Sequence, residues 1–332
     1  MQALTGVNTL KRSSQGCLCC GSASLGKVPT VSSAFLAMKA FDGQPELIDL
    51  MFCSRCGFRF YDRGLSYAEA QRYYEGYRSE EYFKIRHQFE IFYTRKAHDD
   101  TENWLNSSGR HVAVAQALEK AGAPRSFSSA LDFGGGTGHM LLGLDAEKRA
   151  VFDLSKEEAE AGVESFGTRE EIQGPWDLIL SCQVLEHLSD PFYQVSDIAQ
   201  LMSPGWWLYA EVPQQMWKDF SGPSAIQRAW LSLLVKNSTA LHAADFMSTA
   251  FRVKLGFVPP LGFVPMREHV NFFTEQALTS LLARAGLKVR WSGKNSEGCI
   301  CAVATRGPDC PQDAANICSS ANLRSGHGHA SS

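Results

Sequence analysis

Ser129-Ala130-Leu131-Asp132-Phe133-Gly134-Gly135-Gly136-Thr137-Gly138 is the stretch that decides the fold. A short apolar strand ends in an acid, four glycines follow within five residues, and His139-Met140-Leu141-Leu142 then starts a helical pattern. A glycine-rich turn between strand and helix lets a ligand approach the backbone closely. No Gly-Lys-Ser/Thr ending follows, which removes the phosphate-loop reading. The acid stands directly before the glycines, where it would repel a pyrophosphate and attract an ammonium group. S-adenosylmethionine carries an α-amino group and no phosphate, so the turn favours it over NAD.

Downstream, the pattern repeats. Arg149-Ala150-Val151-Phe152-Asp153-Leu154 is a second strand ending in an acid, 21 residues after Asp132. A carboxylate at that place can accept hydrogen bonds from both ribose hydroxyls. Trp176-Asp177-Leu178-Ile179-Leu180-Ser181 is the next strong strand and leads into Cys182-Gln183-Val184-Leu185-Glu186-His187. Asp190-Pro191 opens a helix with Phe192, Val195, Ile198 and Leu201 on its inner face. Gly205 to Pro213 is another strand, and Cys299 to Ala304 the last. Alternating strands and helices predict an α/β fold with a mostly parallel sheet and ligands at the strands' carboxyl ends.

Only 24 residues separate Asp153 from Asp177. Any intervening helix must be brief, and Val163-Glu164-Ser165-Phe166 is the candidate for strand three. Glu170 and Glu171 are the acids available to contact an adenine.

Upstream, Cys17-Leu18-Cys19-Cys20-Gly21 and Cys53-Ser54-Arg55-Cys56-Gly57 form two C-x-x-C-Gly units, 32 residues apart. Two thiolates from one tight turn can reach the same metal, and two such turns supply the four soft ligands that tetrahedral zinc takes. The spacing selects Cys17, Cys20, Cys53 and Cys56, with Cys19 a possible substitute. A shell of four thiolates has no open position, so the zinc would be structural.

The chain has 332 residues, 44% hydrophobic and 20% charged, with a net charge of −3 and ten cysteines. That length suits one large α/β core and a smaller module. The charge gives no ground to expect a nucleic-acid partner, and Lys27, Arg55 and Arg59 near the knuckles make no basic stripe. Residues 1–14 read MQALTGVNTLKRSS, without the apolar core of a secretory signal. No apolar run approaches the roughly eighteen residues of a spanning helix. A cytoplasmic location with reduced cysteines is expected.

The predicted layout is a zinc-binding module over 1–61, a helical connector or cap over 62–125, an α/β domain over 126–306 and a disordered tail over 307–332. Ser66-Tyr67-Ala68-Glu69 is a capping box that starts the helical zone, and an aromatic stripe follows from Tyr73 to Tyr93. Residues 214–268 form an insertion expected to cover the acceptor as a lid or to make a dimer contact. Its apolar character also allows contact with a membrane surface. The pattern leaves the oligomeric state open.

The segment from Leu131 to Gly138 resembles the first motif of the Rossmann-like methyltransferases, (D/E)-x-G-x-G-x-G, with Asp132, Gly134, Gly136 and Gly138 in the motif positions. Phe152-Asp153-Leu154-Ser155 matches their ribose-binding strand end. Val184-Leu185-Glu186-His187-Leu188 with Asp190-Pro191 matches the motif after their fourth strand. Glu268-His269-Val270-Asn271-Phe272-Phe273-Thr274, then a helix and Gly286-Leu287-Lys288-Val289, resemble their C-terminal end. The likeness covers roughly residues 126–305. With the knuckles in front, the chain is similar to zinc-containing methyltransferases that include sugar C-methyltransferases.

The resemblance implies a seven-stranded Rossmann-like sheet behind a zinc-ribbon-like module. It also implies S-adenosylmethionine as cofactor, held by Asp132, Gly134, Gly136, Gly138, Asp153, Leu154 and Gln183, and a small-molecule acceptor of sugar, glycan or natural-product type. Glu186 and His187 would then be an orienting carboxylate and a base, or would simply hold the helix start. His269 would contact the acceptor or organise its loop. A methyltransferase of RNA or protein, and a nucleoside-binding protein without catalysis, would use the same turn.

Overall fold

The computed structural model describes residues 12, 16–77, 79–154, 157–219 and 224–307. The tail from 308 onward and Ser155 lie outside them.

The N-terminal part builds a four-stranded antiparallel sheet from β1 (Leu25–Val31), β2 (Leu47–Cys53) and β3 (Arg59–Tyr61). Its fourth strand, β11 (Asn271–Phe272), pairs with β3 and comes from the far end of the chain. Helix α1 (Ala34–Ala40) bridges β1 and β2, and its N-cap Ser33 accepts the Leu36 amide. Four helices follow: α2 (Tyr67–Tyr74), α3 (Glu80–Phe89), α4 (Arg95–Leu105) and α5 (Ser108–Lys120). The capping box forms at α2, where Ser66 and Glu69 exchange side-chain to backbone bonds.

The second sheet contains β4 (Ser126–Phe133), β5 (Asp145–Phe152), β6 (Glu164–Phe166), β7 (Leu178–Cys182), β8 (Trp207–Val212), β12 (Leu287–Lys294) and β13 (Ile300–Arg306). Its order is β12-β13-β8-β7-β4-β5-β6, with β13 antiparallel to its two neighbours and the other pairs parallel. This is the mostly parallel sheet expected from the strand pattern, with the seven strands that the resemblance implies. Strand order reverses between β4 and β7, so a crevice opens at their carboxyl ends, where open α/β sheets bind ligands. Alternation along β4 sends Leu131 and Phe133 to a core shared with α6 (Pro191–Gln200) and α9 (Glu275–Arg284). Ala130 faces a second core under α5.

Two helices of the sequence pattern are corrected. The one starting at His139 is a single 3-10 turn, His139–Gly143. Only eleven residues join β4 to β5, too few for the glycine turn, a multi-turn helix and the return. α5 covers that face instead, packing Val114, Ala117 and Leu118 on Met140 and Leu141. The brief helix between Asp153 and β6 is absent among the described residues; residues 157–163 lie over the glycine turn, with the Glu160 amide donating to the Thr137 carbonyl at 2.9 Å.

Helices α7 (Ser224–Leu234) and α8 (Ser238–Leu255) pack against the N-terminal sheet, burying Leu231, Leu234 and Leu241 with Val31 and Phe263. A parallel pair, β9 (Lys218–Asp219) and β10 (Phe257–Val258), closes the segment. Among the described residues no helix is long and apolar enough to cross a membrane.

Candidate active site

The glycine turn caps β4. Gly134 has φ +79°, and a Cβ there would stand 2.7 Å from Val184 Cγ2, so the close approach of the turn after β7 requires glycine. The Gly136 amide donates to Asp153 Oδ2 at 2.9 Å, tying the turn to the end of β5. Leu154 beside it is exposed.

Asp132 lies under the turn. A Cβ on Gly135 would meet its carboxyl carbon at 2.1 Å, and the side chain is fully buried with no hydrogen-bond partner for either oxygen among the described residues. Burial pushes this carboxyl up to about 7, with the charge of Arg110 pulling the other way. The direct ammonium contact read from the sequence is therefore covered in this conformation.

A folded-state value near 7 against 3.8 unfolded means that the folded chain keeps a proton the unfolded chain has lost. This contribution to stability is full below the lower value and disappears as pH rises to the upper one. Asp132→Asn should remove the slope. In urea titrations without ligand, wild type should lose roughly 3 kcal/mol relative to the variant between about pH 5 and pH 8.

Beneath the turn after β7 sits a buried polar knot. Glu211, at the end of β8, accepts from Arg110 Nη2 at 3.0 Å and Gln183 Nε2 at 2.9 Å through Oε1. Its Oε2 accepts from the Tyr209 hydroxyl at 2.7 Å and Asn295 Nδ2 at 2.6 Å. Gln183 has φ +60°, and its amide also donates to the Glu211 carbonyl. The side chain read as a cofactor contact is thus engaged with Glu211. Of the two candidate adenine acids, Glu171 caps its own 3-10 turn by accepting from the Gly167 and Thr168 amides, and Glu170 is exposed.

Next to this knot, Glu186, His187 and His269 converge, one ligand atom of each lying within 4.8 Å of the others. The His187 and His269 rings meet edge to face at 4.7 Å. His187 Nδ1 lies 2.9 Å from the Tyr74 hydroxyl and 3.1 Å from the Glu268 carbonyl. His269 Nδ1 lies 2.9 Å from Gln215 Oε1. His187 Nε2 is 3.8 Å from Glu186 Oε1, too long for a hydrogen bond, and neither Glu186 oxygen has a hydrogen-bond partner on any other described residue.

Burial pushes Glu186 up to about 8. Burial and the neighbouring His187 lower His269 to about 3, so its ring is neutral near pH 7. Burial alone would raise Glu268, but Arg86, gripping it through two nitrogens at 2.7 and 3.1 Å, holds it well below the usual carboxylate range. A cavity of about 250 Å³ opens beside His269, with Arg86, Gln215, Arg252, Arg267 and Glu268 in its wall.

Near the N-terminal end of the chain the four predicted cysteines come together. Cys17 and Cys56 sulfurs are 3.6 Å apart, as are those of Cys20 and Cys53, and all four lie within 4.8 Å of one another. A tetrahedral shell with Zn–S bonds of about 2.3 Å has edges of about 3.8 Å, so spacing and donor type both fit zinc. Cys19 is buried beside Cys17 and stands outside the four. The knuckles sit on α9. Thr274, its N-cap, donates to the Cys56 carbonyl, and Arg284 in its last turn donates to the Leu18 carbonyl at 3.0 Å.

The sequence model of the methyltransferase domain matches residues 107–291, more than half of the chain. The chain belongs to that family. It is an S-adenosylmethionine-dependent methyltransferase. No curated protein matches it. Among solved structures it is similar to the N-methyltransferase NodS of Bradyrhizobium japonicum with bound S-adenosyl-L-homocysteine, at 15% identity and a TM-score of 0.36, covering 60% of this chain and 86% of that one. It is also similar to an S-adenosylmethionine-dependent methyltransferase of Aquifex aeolicus, at 17% identity and 0.38, covering 63% and 95%. A third, a possible histamine N-methyltransferase of Thermotoga maritima, gives 15% and 0.37, covering 64% and 97%. Likenesses this distant bear on neither the acceptor nor the site.

In this methyltransferase the glycine turn, Asp153, Gln183, Glu186 and His187 all stand at the carboxyl ends of β4, β5 and β7. Sequence reasoning missed Arg110, Glu211 and Asn295. Two signals were present: Arg110 shares the buried face of α5 with Val114 and Ala117, and Glu211 is a charge inside an apolar strand.

Proposed function

We propose that this methyltransferase acts on a small hydroxylated molecule of sugar, glycan or natural-product type. The observation that carries this is the cavity beside His269, whose size and charged, hydrogen-bonding wall suit such an acceptor. S-adenosylmethionine supplies an electrophilic methyl group. In the proposed site Asp132, Gly134, Gly136, Gly138, Asp153, Leu154 and Gln183 surround the cofactor, with Asp153 at the ribose and Asp132 acting from beneath the turn. Glu186, His187 and His269 take the acceptor, and its proton leaves at this cluster. The bonds to Tyr74 and Gln215 fix the two imidazoles, so the nucleophile would meet the methyl group in a defined line.

Cys17, Cys20, Cys53 and Cys56 would hold zinc with no position left for substrate, which makes that metal a fastener between the N-terminal sheet and α9.

Calorimetric titration with S-adenosylhomocysteine tests the cofactor assignment. Wild type should bind it and ignore NAD. Asp153→Ala removes both the proposed ribose contact and the tie to Gly136, and should weaken binding at least a hundredfold. Unchanged affinity in the variant would remove Asp153 from the site.

A further inference from the structure

We propose that Glu186, His187 and His269 form a second metal site, a two-histidine, one-carboxylate set for a divalent cation with positions left open to an acceptor oxygen. Three features of the geometry carry it. The three side chains offer ligand atoms within 4.8 Å of one another. Each imidazole has its Nδ1 against a carbonyl-type oxygen, Glu268 O for His187 and Gln215 Oε1 for His269. The Glu268 carbonyl accepts only and favours the His187 tautomer with its proton on Nδ1, in which the Tyr74 hydroxyl at 2.9 Å is a second acceptor; Gln215 Oε1 favours the same tautomer of His269. This is the arrangement that outer partners impose on metal-binding histidines. The third feature is Glu186, 1% exposed, whose two oxygens have no hydrogen-bond partner on any other described residue, a state that is costly unless something binds there.

The donor set differs from the cysteine cluster in kind. Two imidazoles and a carboxylate suit divalent zinc, cobalt or iron with open positions, whereas four thiolates close the shell. His187 is partly exposed, and His269 lines the cavity read as the acceptor's. An acceptor hydroxyl bound there would lose its proton to water more easily, because the cation stabilises the alkoxide. This role rests on the proposed reading that the acceptor docks at the cluster; the metal site itself is tested without substrate.

The test uses full-length protein with zinc in its cysteine site, dialysed against a weak chelator and titrated with cobalt(II). Wild type is expected to bind one equivalent with weak d–d absorption and no thiolate charge-transfer band. His269→Ala should lose that equivalent while zinc content and thermal unfolding stay those of wild type. Gln215→Leu, which removes only an outer partner, should weaken cobalt 10- to 100-fold. It decides the matter if the histidine variant does not fold. No cobalt bound by wild type, or binding unchanged in these variants, overturns the site. S-adenosylhomocysteine bound by the same protein without cobalt would leave the methyltransferase reading intact and the cluster acting without metal.

Discussion

The Cys53→Ser protein is expected to purify without zinc at the four-cysteine cluster and to melt of the order of 10 °C below wild type. Structural zinc sites bind with roughly 10–16 kcal/mol in isolated knuckles, and that free energy is folding free energy. Here only part of it would be lost, because the knuckles share their core with the α/β domain. Phe58 packs on Phe273 at 4.9 Å, and Cys17, Cys53 and Cys56 belong to the same apolar cluster as Leu278 and Leu281 of α9. A net loss of several kcal/mol converts to about that shift in melting temperature for a domain of this size. Cys19→Ala is the control. It removes a buried thiol outside the four and should leave zinc content unchanged. Metal analysis of the purified protein should show one zinc equivalent fewer than wild type, and a zinc content unchanged in Cys53→Ser would mean that these cysteines do not hold it.

The cysteine cluster was legible because its signal is local. Two short turns name their own ligands, and the sheet needs only to bring them together. The glycine turn is of the same kind, since strand end, acid and glycines are contiguous. What stayed hidden depends on distance along the chain. Glu211 meets Arg110 across 101 residues and Asn295 across 84, and no spacing rule links them. Strand β11 is two residues long, too short for any periodicity, yet it joins the N-terminal sheet to the α/β domain. The aromatic stripe after Ser66 marked helices but could not single out Tyr74, which is set against His187 by the packing of α2. The missing helix after His139 was a counting matter: a helical pattern was present, but only eleven residues were available for it.

Glu211→Ala is the single substitution expected to cost most outside the metal cluster, at least about 3–5 kcal/mol. The side chain is 1% exposed and accepts four hydrogen bonds, from Arg110, Gln183, Tyr209 and Asn295. Removing it leaves the Arg110 guanidinium buried without its anion, and breaking a buried pair from one side carries a penalty of that order. Three neutral donors lose their acceptor as well, though these penalties do not simply add. Arg110→Met should also destabilise. In the double variant neither charge remains, so its loss should fall short of the sum of the single losses by about 2 kcal/mol or more. Chemical denaturation of the four proteins measures this cycle. Function should follow structure here, because the Gln183 side chain, at the left-handed start of the turn that carries Glu186 and His187, loses its bond to the Glu211 carboxylate and keeps only the main-chain bond. S-adenosylhomocysteine affinity should therefore drop in Glu211→Ala at temperatures where the protein is still folded. Glu211→Gln, which keeps an acceptor but not the charge, should fall between the two. A Glu211→Ala protein as stable as wild type would mean that Arg110 reaches water or another anion, and that the knot does not hold the turn.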